Sequence, residues 1–190
     1  PVVSRYCRRE LWVAKAQMLM ALDRHAEAVD YLNRAMALKD ENNDPLSEIF
    51  CTATAGITYM GVDTISTRAE SAFRRACRVA ERSGLSNYWL YPQAIGRLAD
   101  IYLQQGKYEE SISLCREAIR LCEKSGSYHG KLVVAEILTE AYRLLGLYDE
   151  AFRYCAVGTG EPARAEVDNN LIGRFFIAKA EIHNNLNRPD

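Results

Sequence analysis

Residues that interrupt helices are scarce in this 190-residue chain, which has five prolines and 11 glycines. Proline inside a helix removes a backbone donor and clashes with the preceding turn, so its scarcity leaves room for long helices. Cysteine is present without a pattern: Cys7, Cys51, Cys77, Cys115, Cys122 and Cys155 are scattered and form no CxxC pair. A disulfide framework is the device of small secreted domains that lack a core, and this chain is rich enough in Leu, Ala and Ile to build one. Cys115 and Cys155 fall inside apolar stripes, where a thiol packs as a small hydrophobe. Reduced thiols and a reducing, cytoplasmic compartment are expected.

Only three histidines occur, His25, His129 and His183, far apart and outside any HExxH or Cys/His ligand spacing. No metal site is expected from them. Neither sign of charge dominates: 24 basic against 25 acidic residues leave a net charge of −1, so no bulk field draws in nucleic acid or anionic lipid. Apolar runs are only a handful of residues long, which excludes a membrane-spanning helix. The opening PVVSRYCRRELW has no signal-peptide hydrophobic region. GxxxxGK[ST], GxGxxG and GxSxG are all missing, and GTGEP at 158–162 lacks the phosphate-binding lysine and reads as a loop. No spacing singles out a catalytic carboxylate pair. The chain is therefore read as non-enzymatic and without a cofactor. Its composition, 48% hydrophobic and 26% charged, is that of a folded globular chain.

What is present is a repeat. Ala28, Ala69, Ser111 and Ala151 are small and recur at spacings of 41, 42 and 40 residues. Four residues after each stand Leu32, Phe73, Cys115 and Cys155; seven after stand Ala35, Ala76, Ala118 and Gly158. Small, larger apolar, small at i, i+4 and i+7 is one helical face. Upstream, a second face recurs as Ala16 with Leu19, Ile57 with Met60, Ala99 with Tyr102 and Thr139 with Tyr142. Between the faces the chain breaks at QQGKYEES and LLGLYDEA, where Gly106 and Gly146 sit as left-handed helix caps. The unit is a helical hairpin of about 41 residues, and small residues at the crossings let helix axes approach to about 8–10 Å. An isolated hairpin leaves an apolar face bare, so the hairpins must stack.

Expected repeats span about 4–40, 44–84, 87–126 and 128–160, with a further helix over about 165–187. Asp44-Pro45 reads as an N-cap followed by proline at the first helical position. Thr67 with Glu70 offers a capping box. Pro92 falls in the first turns of its helix, where a missing N–H costs less. In the last helix Ala180 and His183 stand where Ala99 and Tyr102 stand. Ending on half a hairpin, with Pro1 in place of Met, is expected of an excerpt from a longer protein; alternatively the last helix caps the stack.

Trp12, Ala16, Leu19, Ala28, Leu32 and Ala35 resemble a tetratricopeptide (TPR) repeat. So do Leu98, Ala99, Tyr102, Gly106, Tyr108, Cys115 and Ala118, and then Tyr142, Gly146, Tyr148, Ala151 and Cys155. The unit is longer than the usual 34 residues, and so resembles the extended hairpins of bacterial signalling regulators and kinesin light chains. The second unit is the most degenerate, with Ile57 for alanine and Val62-Asp63-Thr64 for the glycine turn. The resemblance implies an all-α, right-handed superhelical solenoid of four hairpins plus one helix. It also implies a protein-interaction or regulatory module of a larger bacterial signalling or transcriptional regulator.

In that family the first helices line an inner groove. Carried over, the groove positions are Gln17, Thr58, Asp100, Glu140 and Glu181, with Val13, Thr54, Gly96, Glu136 and Ile177 a turn earlier and Arg97 and Arg143 nearby. The lysines and asparagines that hold an acidic chaperone tail are missing, which disfavours that partner. A basic or polar peptide, or another segment of the parent protein, fits the carboxylates better; the same acids also suit simple solvated helix faces. A small-ligand or peptide sensor is a second reading. A third is nucleic-acid binding through Arg74, Arg75, Arg78 and Arg82, in a chain with 18 arginines to six lysines. Interleaved Glu70 and Glu81 make a solvated helix face the better account of that stripe, and the same holds for Arg5, Arg8 and Arg9. Tyr88, Trp89 and Tyr91 form an aromatic knot expected to bury area rather than stack a ligand.

Overall fold

A computed structural model describes residues 5–38, 44–63, 67–160 and 169–186. These form nine helices and no strand: α1 Arg5–Ala21, α2 His25–Ala37, α3 Pro45–Val62, α4 Thr67–Arg82, α5 Leu90–Gln104, α6 Tyr108–Ser125, α7 Tyr128–Leu144, α8 Tyr148–Thr159 and α9 Asn169–Leu186. The TPR-like solenoid expected from the repeat is what forms. α1, α3, α5 and α7 each pack antiparallel on the even helix that follows, and the hairpins stack so that α1, α3, α5, α7 and α9 lie side by side.

Turn chemistry sets the boundaries. After α5, Gly106 adopts φ +75°, and the next amide, Lys107 N, donates back to Tyr102 O at 2.9 Å. After α7, Gly146 adopts φ +71° and Leu147 N donates to Tyr142 O at 2.9 Å. That six-to-one bond over a left-handed residue ends a helix while satisfying its last carbonyls. In the first hairpin Asp23 takes the same position with φ +60°, and Arg24 N donates to Leu19 O at 2.9 Å. Asp23 tolerates the left-handed region better than most residues, and its carboxylate also bonds His25 Nε2 at 2.8 Å. At the start of α3, Asp44 accepts from Leu46 N and Ser47 N, with Pro45 at the first position, as the sequence predicts. The Thr67–Glu70 capping box is not what Glu70 serves: its carboxylate receives Arg74 Nε at 2.9 Å and faces Gln105 and Tyr102 of the next hairpin.

The small residues lie where the helices cross. Ala28, Ala35, Ala69, Ala76, Ser111, Ala118 and Ala151 are all buried, as are Leu32, Phe73, Cys115 and Cys155 between them. Ser111 Oγ donates to Ala99 O of the partner helix at 2.7 Å, so this crossing brings side chain onto backbone. Cys51, Cys77, Cys115, Cys122 and Cys155 are buried and unbridged. Burial pushes the Cys51 thiol up to about 11 and that of Cys77 to about 12.

The second hairpin departs from the expected register. Ile57 is exposed, and Gly56 takes the small position, with the Phe73 ring where its Cβ would stand. The connection from α3 to α4 is longer than the Gly106 and Gly146 turns, which lets α3 slip by a residue. The aromatic knot is divided: Tyr91 is buried and donates to Glu81 at 2.9 Å, whereas Trp89 is 47% exposed.

Candidate functional site

The exposed faces of α5, α7 and α9 bound a cleft of about 210 Å³ lined by Arg97, Asp100, His129, Glu136, Asn170 and Arg174, with Val133, Ile137 and Leu171 as its apolar part. A smaller hollow of about 60 Å³ continues it along Gln93, Gly96 and Val134. Gly96 keeps α5 close to α7, since a Cβ there would stand 3.2 Å from Val134 Cγ2. Helical periodicity explains the lining: Val133, Glu136 and Glu140 recur at i, i+3 and i+7 on one side of α7, while Leu132, Ala135 and Thr139 turn inward.

Of the groove residues expected from the sequence, Arg97, Asp100 and Glu136 line this cleft and Gly96 the hollow beside it, while Glu140, Arg143 and Glu181 meet one another on α7 and α9. Arg97 approaches Asp100 at 3.9 Å, the edge of ion-pair range. Arg143 forms a two-pronged pair with Glu140 at 2.6 and 2.7 Å and reaches Glu181 of α9 at 3.4 Å. Glu136 pairs with Arg174 of α9. Its carboxyl is nonetheless raised above the usual carboxylate range, first by burial and then by the nearby Asp100 and Glu140 carboxylates, which together outweigh Arg174. Burial of Glu136 thus outweighs the arginine beside it, although each acid of the cleft has an arginine in reach.

Other expectations fall elsewhere. Gln17 is exposed on α1. Thr58 does not line the groove: it is fully buried and donates to Thr54 O at 3.0 Å, with Met20 Sδ at 2.7 Å. Thr54 is buried too, because the slip of α3 turns this face inward and brings Ile57 out. Of the α4 arginines, Arg74 is engaged by Glu70 and Tyr102, and Arg75 by Glu48 at 2.8 Å; Arg78 and Arg82 are exposed. Arg8 is exposed and Arg9 is buried, bonded to Leu38 O. His183 packs edge-on against Phe152, with ring centroids 4.7 Å apart. Among the described residues no group of three His, Cys, Asp or Glu side chains is placed to hold a metal, and no helix is long and apolar enough to cross a membrane. Arg174 and His129 were not among the groove positions expected from the sequence, although Arg174 lies one helical turn before Ile177, which was.

Comparison with known proteins adds the family and the fold. Tetratricopeptide repeat profiles match residues 91–154 and 10–42. No curated protein matches by sequence. Three solved structures superpose over nearly the whole chain. One is a Pyrococcus horikoshii signal-transduction ATPase with numerous domains, which carries a tetratricopeptide repeat sensor (19% identity, TM-score 0.70, 98% of this chain and 26% of that one). This chain thus spans about a quarter of that protein's length. Another is BtubC (BKLC) of P. vanneervenii (16%, TM-score 0.70, 92% and 80%). The third, from Podosopora anserina, is described as a kinesin light chain with nearly identical TPR-like repeats (16%, TM-score 0.71, 97% and 93%).

Proposed function

The chain belongs to the tetratricopeptide repeat family, and from that premise we propose that it is a protein-interaction module whose α5–α7–α9 cleft takes an extended segment carrying a lysine or arginine. TPR repeats generally mediate protein–protein contact, and the finer assignment rests on one observation. Glu136 is mostly buried, flanked by Asp100 and Glu140, and held above the ordinary carboxylate range even with Arg174 beside it. A further cation at that point would gain Coulomb energy without first breaking the Glu140–Arg143 pair. Arg174, which pairs with Glu136, is 59% exposed, so an incoming cation would compete with a half-solvated partner. Val133, Ile137 and Leu171 supply the apolar contact beside it.

The wider role we infer is regulatory: a repeat region of a larger signalling or transcriptional regulator, filled by a partner or by another segment of the same protein. The sensor repeats of the Pyrococcus ATPase support that context. Nucleic-acid binding through α4 is disfavoured, since Arg74 and Arg75 are held by Glu70 and Glu48.

Fluorescence polarisation against a library of peptides differing only in charge tests the cleft. Lysine- and arginine-bearing peptides should bind, and the triple variant Asp100→Asn, Glu136→Gln, Glu140→Gln should lose them while melting normally. Preference for acidic peptides, or binding that survives the triple variant, would move the site elsewhere. Binding to a mixed-sequence duplex that collapses with added salt and with Arg78→Ala, Arg82→Ala would favour the α4 surface instead.

A further inference from the structure

Adjacent even helices pack on the odd helix between them rather than on each other, which leaves a gap on the side away from the groove. Between α6 and α8 the chain fills that gap itself. The Tyr154 ring stacks on Tyr142 with centroids 5.7 Å apart, and Arg116 donates to the Tyr142 hydroxyl at 2.8 Å. Lys131, near the start of α7, sets its ammonium on Glu123 of α6 at 2.6 Å.

One repeat earlier, between α4 and α6, the same frame is only partly furnished. Arg74 and Tyr102 take the places of Arg116 and Tyr142 and bond in the same way. Arg78 and Glu81 take those of Arg120 and Glu123. Leu114, however, stands where Tyr154 stands, and Tyr91 where Lys131 stands. A phenol and an ammonium are thus both missing, and the space is a hollow of about 310 Å³. That is the low end of the range for small-ligand sites, roughly 300–1,000 Å³.

The floor of the hollow is apolar and buried: Tyr91, Ile95 and Leu98 recur at i, i+4 and i+7 on the side of α5 turned away from the cleft. Its rim is charged. Arg74 and Arg78 bring positive charge from α4, while Glu81 and Glu117 stand near the Tyr91 hydroxyl, which donates to Glu81 at 2.9 Å. Burial and these two carboxylates together hold the Tyr91 phenol above its ordinary range. Among the described residues the side chains of Arg78 and Glu117 have no hydrogen bond or ion pair.

We propose that this hollow binds a phenolic amine, a flat hydroxyaryl ring carrying an alkylammonium. The ring lies against Ile95, Leu98 and Leu114, in the place that Tyr154 fills one repeat later. Its hydroxyl accepts from Arg78, and its ammonium sits between Glu81 and Glu117 as Lys131 sits on Glu123. The guest restores the two groups that the third hairpin lacks. An aromatic acid would instead meet the two carboxylates with like charge. The site lies across α5 from the α5–α7–α9 cleft and stands whatever that cleft binds.

Isothermal titration with tyramine tests the site, with phenethylamine and para-hydroxyphenylpropionate as probes that lack the hydroxyl and the ammonium. Tyramine should bind once per chain, phenethylamine about tenfold more weakly, and the propionate not at all. Glu117→Gln, at an exposed position, should weaken tyramine binding by about tenfold or more. Leu114→Tyr should fill the hollow and abolish binding while keeping the parent's melting temperature. Glu136→Gln, in the cleft, should leave binding unchanged. A chain that takes up no tyramine at millimolar concentration overturns the inference. So does equal binding of either lesser probe, binding that survives Glu117→Gln or a folded Leu114→Tyr, or binding that Glu136→Gln removes.

Discussion

The inner face of the first two hairpins and that of the last two are built on one repeat and differ in almost everything that meets solvent. On α1 and α3, Gln17 and Ile57 are the exposed groove residues, and Thr54 and Thr58 are consumed by the interior. On α5, α7 and α9 the equivalent surface carries Asp100, Glu136, Glu140 and Glu181 with Arg97, Arg143 and Arg174 among them. Buried positions are nearly the same in both halves. Stacking constrains the small and apolar residues at the crossings but leaves the groove side free, so one scaffold can carry a sparsely charged wall at one end, where Glu10 is bonded to Ser47, and a charged cleft at the other.

The strongest way to break this comparison is to strike the shared frame. Ala28→Leu in the first half and Ala151→Leu in the second should each cost about 1–3 kcal/mol through overpacking at a closed crossing. Gly158→Ala should cost a similar amount, because its Cβ would lie within the buried Phe175 ring. Thermal melts check all three; equal losses in both halves mean one frame, and a neutral result at any site would refute the assigned crossing. A smaller effect is expected of Arg143→Ala, which releases Glu140 and Glu181 at a half-open site and should cost about 1 kcal/mol or less.

Glu136→Gln sharpens the contrast by reversing sign. Folding raises this carboxyl above its unfolded value, so its contribution is most favourable below the unfolded carboxylate range and declines as pH rises through the folded value. At neutral pH the ionised form opposes folding slightly, and the glutamine variant should melt at or above the parent temperature. A melt series across the acidic range should show the parent losing relative stability with rising pH and the variant lacking that slope. A clear drop in melting temperature at neutral pH would mean that the Arg174 pair outweighs burial. The smallest effect belongs to Gln17→Glu in the sparsely charged half, expected within about 0.5 kcal/mol of the parent by thermal melt.

Most helix ends were legible because their causes are local. Asp44-Pro45, Gly106 and Gly146 act on their own turns, and the observed helices begin or end beside them. Asp23 was legible in principle, since it precedes Ala28 by the same five residues that separate Gly106 from Ser111. The slip in α3 was not, because nothing at Ile57 itself reports the length of the connection that follows it. Helical periodicity was readable one helix at a time, so Asp100 and Glu136 were set on the sides of α5 and α7 that the cleft uses. The charge balance was not, because Arg174 reaches Glu136 from a different helix and burial of Glu136 depends on the walls around it. Which acids are traps for a cation and which are merely solvated is a property of the assembled cleft.

Each helix of this molecule touches little beyond its immediate neighbours in the row, with α1 meeting chiefly α2 and α3, and α9 chiefly α7 and α8. The stack accordingly behaves like a short spring clamped nowhere along its length. A disturbance of one turn passes first to the turns beside it, so a change in α7 should alter amide exchange in α5 and α9 before it reaches α1. The charged cleft spans three turns of that spring. Anything seated between α5 and α9 would tighten the turns it spans, so occupancy there becomes a change in stiffness that can be felt where no contact is made.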